Sequence, residues 1–241
     1  MLKIIPASPL LASLSLLLLS ACTPANLQAL QATVKPDTAD PATEYFTPVT
    51  PTPGPTAGEH FAKGKAYADA TKFQQAVNEF SQAINLDKEF VIAFIERGIA
   101  YRHLGDYRAA TADFDNAIRF VPPSPTAFRE RGLVYVLRGN FVKALPDFEQ
   151  AIKLKPTDPE SFLGRGQAYV LAQNFDKAIA DFNRALTLKP KWAEALFNRA
   201  KAYKLRGQKQ NAIADLKSVL KLDPDNDLKM QTEALLKELG A

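Results

Sequence analysis

Four arginines recur at a fixed spacing along the chain, Arg97, Arg131, Arg165 and Arg199, and each is followed 16 positions later by an aspartate, Asp113, Asp147, Asp181 and Asp215. A guanidinium and a carboxylate meet as a two-pronged, charge-assisted pair when the backbone brings them together. An arrangement repeated in this way is expected to hold structure and not to turn over a substrate. A fifth copy keeps the signs with Lys63 and Glu79. The other reactive groups do not assemble. His60 and His103 stand far apart in sequence without metal-ligand spacing around either. There is no Gly-x-Ser-x-Gly elbow and no glycine-rich phosphate loop. No catalytic residue, metal ligand or diffusible cofactor is expected. The one cysteine, Cys22, excludes an intrachain disulfide.

The elements that carry the arginines repeat with them. Gly98, Tyr101, Ala110, Phe114, Ala117 and Pro122 return 34 positions on as Gly132, Tyr135, Ala144, Phe148, Ala151 and Pro156, and again as Gly166, Tyr169, Ala178, Phe182, Ala185 and Pro190. Gly64, Tyr67, Ala76, Phe80 and Ala83 form an earlier copy, and Ala200, Tyr203, Ala212, Leu216, Val219 and Pro224 a looser later one. Small residues allow two helix axes to approach, and Tyr and Phe fill what remains. Asp106, Asn140 and Asn174 are placed to cap a second helix, and the prolines close it. Gly105, Gly139 and Gly207 mark the turn within a unit, where a left-handed backbone costs glycine little. Pro146, six residues past the cap Asn140, predicts a bend in its helix. A period of this length is the signature of a stack of two-helix units, none of which buries its apolar face alone.

The pattern resembles the tetratricopeptide repeat (TPR), over about Ala57 to Asn226. The resemblance implies an all-α, right-handed solenoid of antiparallel helix pairs in five units, 57–90, 91–124, 125–158, 159–192 and 193–226. Residues 227–241 form a capping helix, with Leu228, Leu235, Leu236 and Leu239 as its apolar face. It also implies a concave groove lined by first helices. Carried over position by position, that groove is Ile95, Ile99 and Arg102, then Arg129, Leu133 and Val136, then Leu163, Gln167 and Val170, then Phe197, Lys201 and Lys204. Its middle is apolar and its C-terminal end basic, which suits a protein segment with acidic residues toward the fifth unit. The subclass that clamps C-terminal carboxylates is echoed only by Asn198 and Lys201, since Glu96, Glu130 and Gly164 stand at the related positions.

Upstream, Lys3, an apolar run and Leu19-Ser20-Ala21-Cys22 describe an export signal over 1–21, and the last four residues are similar to the bacterial lipobox. That similarity implies a lipid on Cys22 and a membrane anchor, at the outer membrane in a diderm cell and otherwise at the outer face of the cell membrane. Residues 22–56 are rich in Thr, Pro and Ala, a composition expected to stay a disordered tether. Tyr45-Phe46 is its one aromatic pair.

The chain of 241 residues is 46% hydrophobic and 23% charged, with a net charge of +4 and a pI near 9.0. No dense Lys/Arg run interleaved with aromatics accompanies that excess, so a nucleic-acid partner is not expected. These features together predict a membrane-anchored adaptor that binds a partner segment in assembling an envelope complex. A spacer without a specific ligand, and a small-ligand binder or regulatory subunit of an enzyme, are the alternatives.

Overall fold

The computed structural model describes residues 54–120 and 122–241; Cys22, the tether and Tyr45-Phe46 lie outside them. Eleven helices, and no strand, occur among the described residues. They follow as α1 (Ala57–Asp69), α2 (Phe73–Leu86), α3 (Val91–His103), α4 (Tyr107–Arg119), α5 (Pro125–Leu137) and α6 (Phe141–Leu154). Then come α7 (Pro159–Leu171), α8 (Phe175–Leu188), α9 (Ala193–Leu205), α10 (Lys209–Lys221) and α11 (Asn226–Glu238). Odd and even helices pair as hairpins, α1 with α2 through α9 with α10, and each hairpin packs on the next. The first helices of successive hairpins also touch one another, α1 on α3 through α7 on α9, while no pair of second helices makes contact of similar extent. The stack therefore closes up on its first-helix side, and that side forms the inner surface.

Local chemistry sets the helix ends. The side chains of Asp106, Asn140 and Asn174 accept hydrogen bonds from the backbone N–H of Ala109, Lys143 and Lys177 at 3.0, 3.1 and 3.3 Å. These bonds satisfy otherwise orphaned helix donors. Thr56 and Glu59 form a reciprocal capping box at the start of α1. Helices α4, α6, α8 and α10 stop two or three residues before Pro122, Pro156, Pro190 and Pro224. Inside the hairpins the chain turns through a positive-φ residue, Gly105, Gly139 and Gly207 in three cases and Thr71 and Gln173 in the other two. Pro146 sits on the exposed outer side of α6, and the helix runs on through it from Phe141 to Leu154.

The core runs the length of the stack as buried Ala and Phe rows. Phe80, Phe114, Phe148 and Phe182 are fully buried, each against alanines of its own hairpin. In α11, Leu236 is buried, and Leu228, Leu235 and Leu239 pack on the cluster that contains Leu216 and Val219, so the last apolar face of the stack is covered.

Candidate functional site: the inner groove

The arginines expected to pair do so, in bidentate geometry. Arg97 donates from Nε and Nη2 to Asp113 at 2.8 and 2.7 Å, and Arg131 to Asp147 at 2.8 and 2.6 Å. Arg165 reaches Asp181 at 2.8 Å through both atoms, and Arg199 reaches Asp215 at 2.7 Å. The aspartates are buried and the guanidiniums partly so. Hydrogen bonds to Asp147 and Asp115 hold the Arg131 guanidinium charged well above its ordinary pKa. A third contact was not evident from the pairs alone. The remaining nitrogen, Nη1, reaches back to the second helix of the preceding hairpin, at Ser81 Oγ (3.0 Å), Asp115 Oδ1 (2.5 Å) and Asn183 Oδ1 (2.6 Å). The partner again lies 16 positions away, toward the N-terminus. Arg97, Arg131 and Arg199 thus each tie two units together, while Arg165 bonds only within its own hairpin among the described residues, and the four form a structural ladder behind the groove. In the first hairpin, Lys63 pairs with Glu79 at 2.6 Å and His60 Nδ1 lies 2.7 Å from the same carboxylate.

The groove residues divide into three groups. Ile95 is buried in a core cluster, and so are Leu163 and Phe197, though edges of the latter two border inner depressions. Their apolar character is explained by interhelix packing, so an exposed groove role fails for Ile95 and is minor for the other two. Ile99, Leu133, Val136 and Val170 are partly buried, packed on the core from the inner side. The charged members are mostly engaged. Arg102 Nε lies 3.3 Å from Glu130 Oε2; Arg129 contacts Glu130, Asp158 and Glu160 at 3.0, 3.2 and 2.8 Å. Lys204 pairs with Glu238 of α11 at 2.5 Å. The expectation that Arg102, Arg129 and Lys204 stand ready for an acidic segment is therefore corrected: each is neutralised by a carboxylate of this chain. Lys201 has no ion-pair partner among the described residues; its Nζ lies 5.6 Å from the Phe197 ring.

What remains is a continuous inner channel. One depression of ≈ 270 Å³ is lined by Val136, Leu137, Gln167, Val170, Leu171, Asn198 and Lys201. Toward the C-terminus, Lys201 and Phe197 continue into a depression of ≈ 380 Å³ walled by Leu205 and by Leu235 and Glu238 of α11. Toward the starts of the same helices, Gln167 joins it to a smaller cavity at Trp192. Leu137, Leu171 and Leu205 were missed in the sequence. They end α5, α7 and α9, are 55%, 41% and 52% exposed, and recur every 34 positions, although nothing in the packing requires leucine there. That periodic exposed leucine is the signal that would have found them.

Family models of the tetratricopeptide repeat match residues 61–125, 95–159, 129–191 and 193–226, and the chain belongs to that family. Proteins of this fold typically mediate protein–protein interaction, and TPR proteins bind peptide or protein partners in the groove. No curated protein matches the chain in sequence. Among solved structures it is similar to a thermophilic TPR protein of Thermus thermophilus, at 20% identity and a TM-score of 0.67, over 75% of this chain and 99% of that one. It is also similar to MamA from Desulfovibrio magneticus, at 20% identity and a TM-score of 0.61 over 71% and 97% of the two chains. A third is YrrB, described as a TPR protein with an unusual peptide-binding site, at 21% identity and a TM-score of 0.56 over 74% and 92%.

Proposed function

We propose that this chain is a membrane-tethered adaptor that holds a protein segment in its inner channel, and that it acts in assembling a complex of the cell envelope. The observation that carries the binding reading is the row Leu137, Leu171 and Leu205, exposed along the channel beside Val136, Val170 and the unpaired Lys201. Exposed apolar surface of this continuity marks interaction sites. Apolar residues of the partner rest on the leucine row, and an acidic residue meets Lys201. The peptide-binding site ascribed to YrrB, which shares the fold, supports the same use of the stack. The role is binding and not catalysis. Of the two histidines, His60 is occupied by Glu79, and His103 stacks on Phe73 with ring centroids 4.4 Å apart. The partner is a protein and not a nucleic acid, because the arginines of the ladder are consumed by aspartates.

The membrane anchor is a lipid on Cys22, supported by Leu19-Ser20-Ala21 before it. Among the described residues no helix is long and apolar enough to cross a membrane. Cys22→Ser is expected to yield an unprocessed or soluble exported form, and unchanged mass with unchanged membrane retention would refute the anchor. For the channel, Leu137→Glu with Leu171→Glu tests binding without disturbing the core, since both side chains are exposed. The double variant is expected to keep its melting temperature and to lose partners recovered from cross-linked membranes by the wild type. Recovery of the same partners would place binding elsewhere.

A further inference from the structure

Between the same three helices that form the middle of the channel, α5, α7 and α9, a cavity of ≈ 180 Å³ lies toward their N-terminal ends. That is below the size of a small-molecule site, about 300–1,000 Å³, and suits one side chain. Its walls are Leu133 and Leu163 on one side and Trp192 on the other, with the carboxylates of Glu130, Glu160 and Glu194 and the guanidinium of Arg129. The arginine is already bound to Glu130, Asp158 and Glu160. The carboxylates are not equally served. Glu130 is 5% exposed, and its Oε2 accepts no hydrogen bond: Arg102 Nε lies 3.3 Å away without the alignment for one. Glu194 has no ion-pair partner among the described residues. Glu194 is exposed, yet desolvation still pushes its pKa up; Lys189 opposes the rise and Glu160 adds to it. Three carboxylates line the cavity against one guanidinium; Arg102 backs Glu130 and Lys189 lies on the Trp192 ring, so the carboxylate left without an ion-pair partner is that of Glu194.

We infer that this cavity receives a lysine or arginine side chain of the bound segment, its alkyl stem between Leu133 and Trp192 and its cationic head among Glu194, Glu160 and Glu130. The inference rests on the channel being a peptide groove. It adds a specificity: the segment carries a basic residue at the Trp192 end, and Gln167, which lines both this cavity and the leucine channel, sets them within one segment's reach. A cation placed against the unpaired Glu194 discriminates, because a neutral residue leaves that carboxylate without a partner.

The test selects binders from a random dodecapeptide library against the full chain in detergent. Trp192, the only tryptophan, reports occupancy of the cavity through its fluorescence. Selected peptides are expected to share a basic residue and to shift Trp192 emission on binding. Replacing that residue by norleucine for lysine, or citrulline for arginine, should weaken binding by roughly tenfold or more, and Glu194→Gln should do the same at an unchanged melting temperature. Peptides that lose binding to Leu137→Glu/Leu171→Glu but ignore both Glu194→Gln and the neutral replacement would overturn the cation pocket and leave the groove standing. If the library yields no binder, or binders indifferent to all these variants, the groove and the pocket fall together.

Discussion

A Cβ atom placed on Gly98 would lie 2.7 Å from the ring of Phe114, the residue 16 positions on across the same hairpin. Gly64 with Phe80 and Gly166 with Phe182 repeat the relation at 2.6 and 2.5 Å. In the last hairpin both members change: Ala200 faces the segment where Leu216 replaces Phe, and both are fully buried. The ring and the missing side chain are one packing solution, and α3 and α4 are as close as they are because of it.

Gly98→Ala should therefore destabilise the protein. Overpacking costs about 1–3 kcal/mol, which outweighs the gain of about 1 kcal/mol in helix propensity. Adding Phe114→Leu, which reproduces the Ala200 and Leu216 pair, is expected to make the double variant more stable than the sum of the singles by about 1 kcal/mol or more. Urea denaturation of the four proteins measures this, and simple additivity would contradict it.

Arg131→Met leaves Asp147 buried and unpaired, and the expected loss is about 3–5 kcal/mol. Asp115, whose side chain is 43% exposed, is a lesser partner; Asp115→Asn is expected to cost about 0–1 kcal/mol. Arg131→Lys should recover little, since one ammonium cannot span the two oxygens of Asp147 and Asp115 together. Melting temperatures rank the three, and a Lys variant equal to wild type would show that charge alone sufficed.

Gln173 holds φ at 57° at the turn position that Gly105, Gly139 and Gly207 fill in other hairpins. A left-handed conformation costs a side chain about 1–2 kcal/mol. Gln173→Gly is expected to raise stability by about 1 kcal/mol, less than the full strain because glycine also gains freedom in the unfolded chain. A lowered melting temperature would mean that the Gln173 side chain contributes contacts of its own.

His103, against Phe73 and beside Arg102, has a pKa below the ordinary histidine value near 6.5; desolvation is the larger cause, the arginine the next, and Glu130 opposes both. As pH falls through 6.5 the unfolded chain takes up the proton first, so stability declines until the folded value is passed and is then constant. His103→Phe should flatten the dependence of melting temperature on pH between about 7.5 and 5.5 relative to wild type. His60 is present in both proteins, so their difference isolates His103.

The sequence by itself determined the period, the helix pair in each unit, the caps at Asp106, Asn140 and Asn174, and the pairing of Arg131 with Asp147. All of these depend on spacing within one unit or on a constant step between units, and a step of 34 is visible in a string of letters. What only the tertiary structure decided lies in contacts between units that do not recur from one unit to the next. Arg129 with Glu160, Arg102 with Glu130 and Lys204 with Glu238 are 31, 28 and 34 positions apart, and no common rule links them. Whether a first-helix side chain faces the core or the channel turns on a fraction of a helical turn: Ile95 is buried while Leu137, at the far end of the next first helix, is open. Burial depends on how closely neighbouring hairpins nest, and that distance is set by pairs such as Gly98 and Phe114 acting through space.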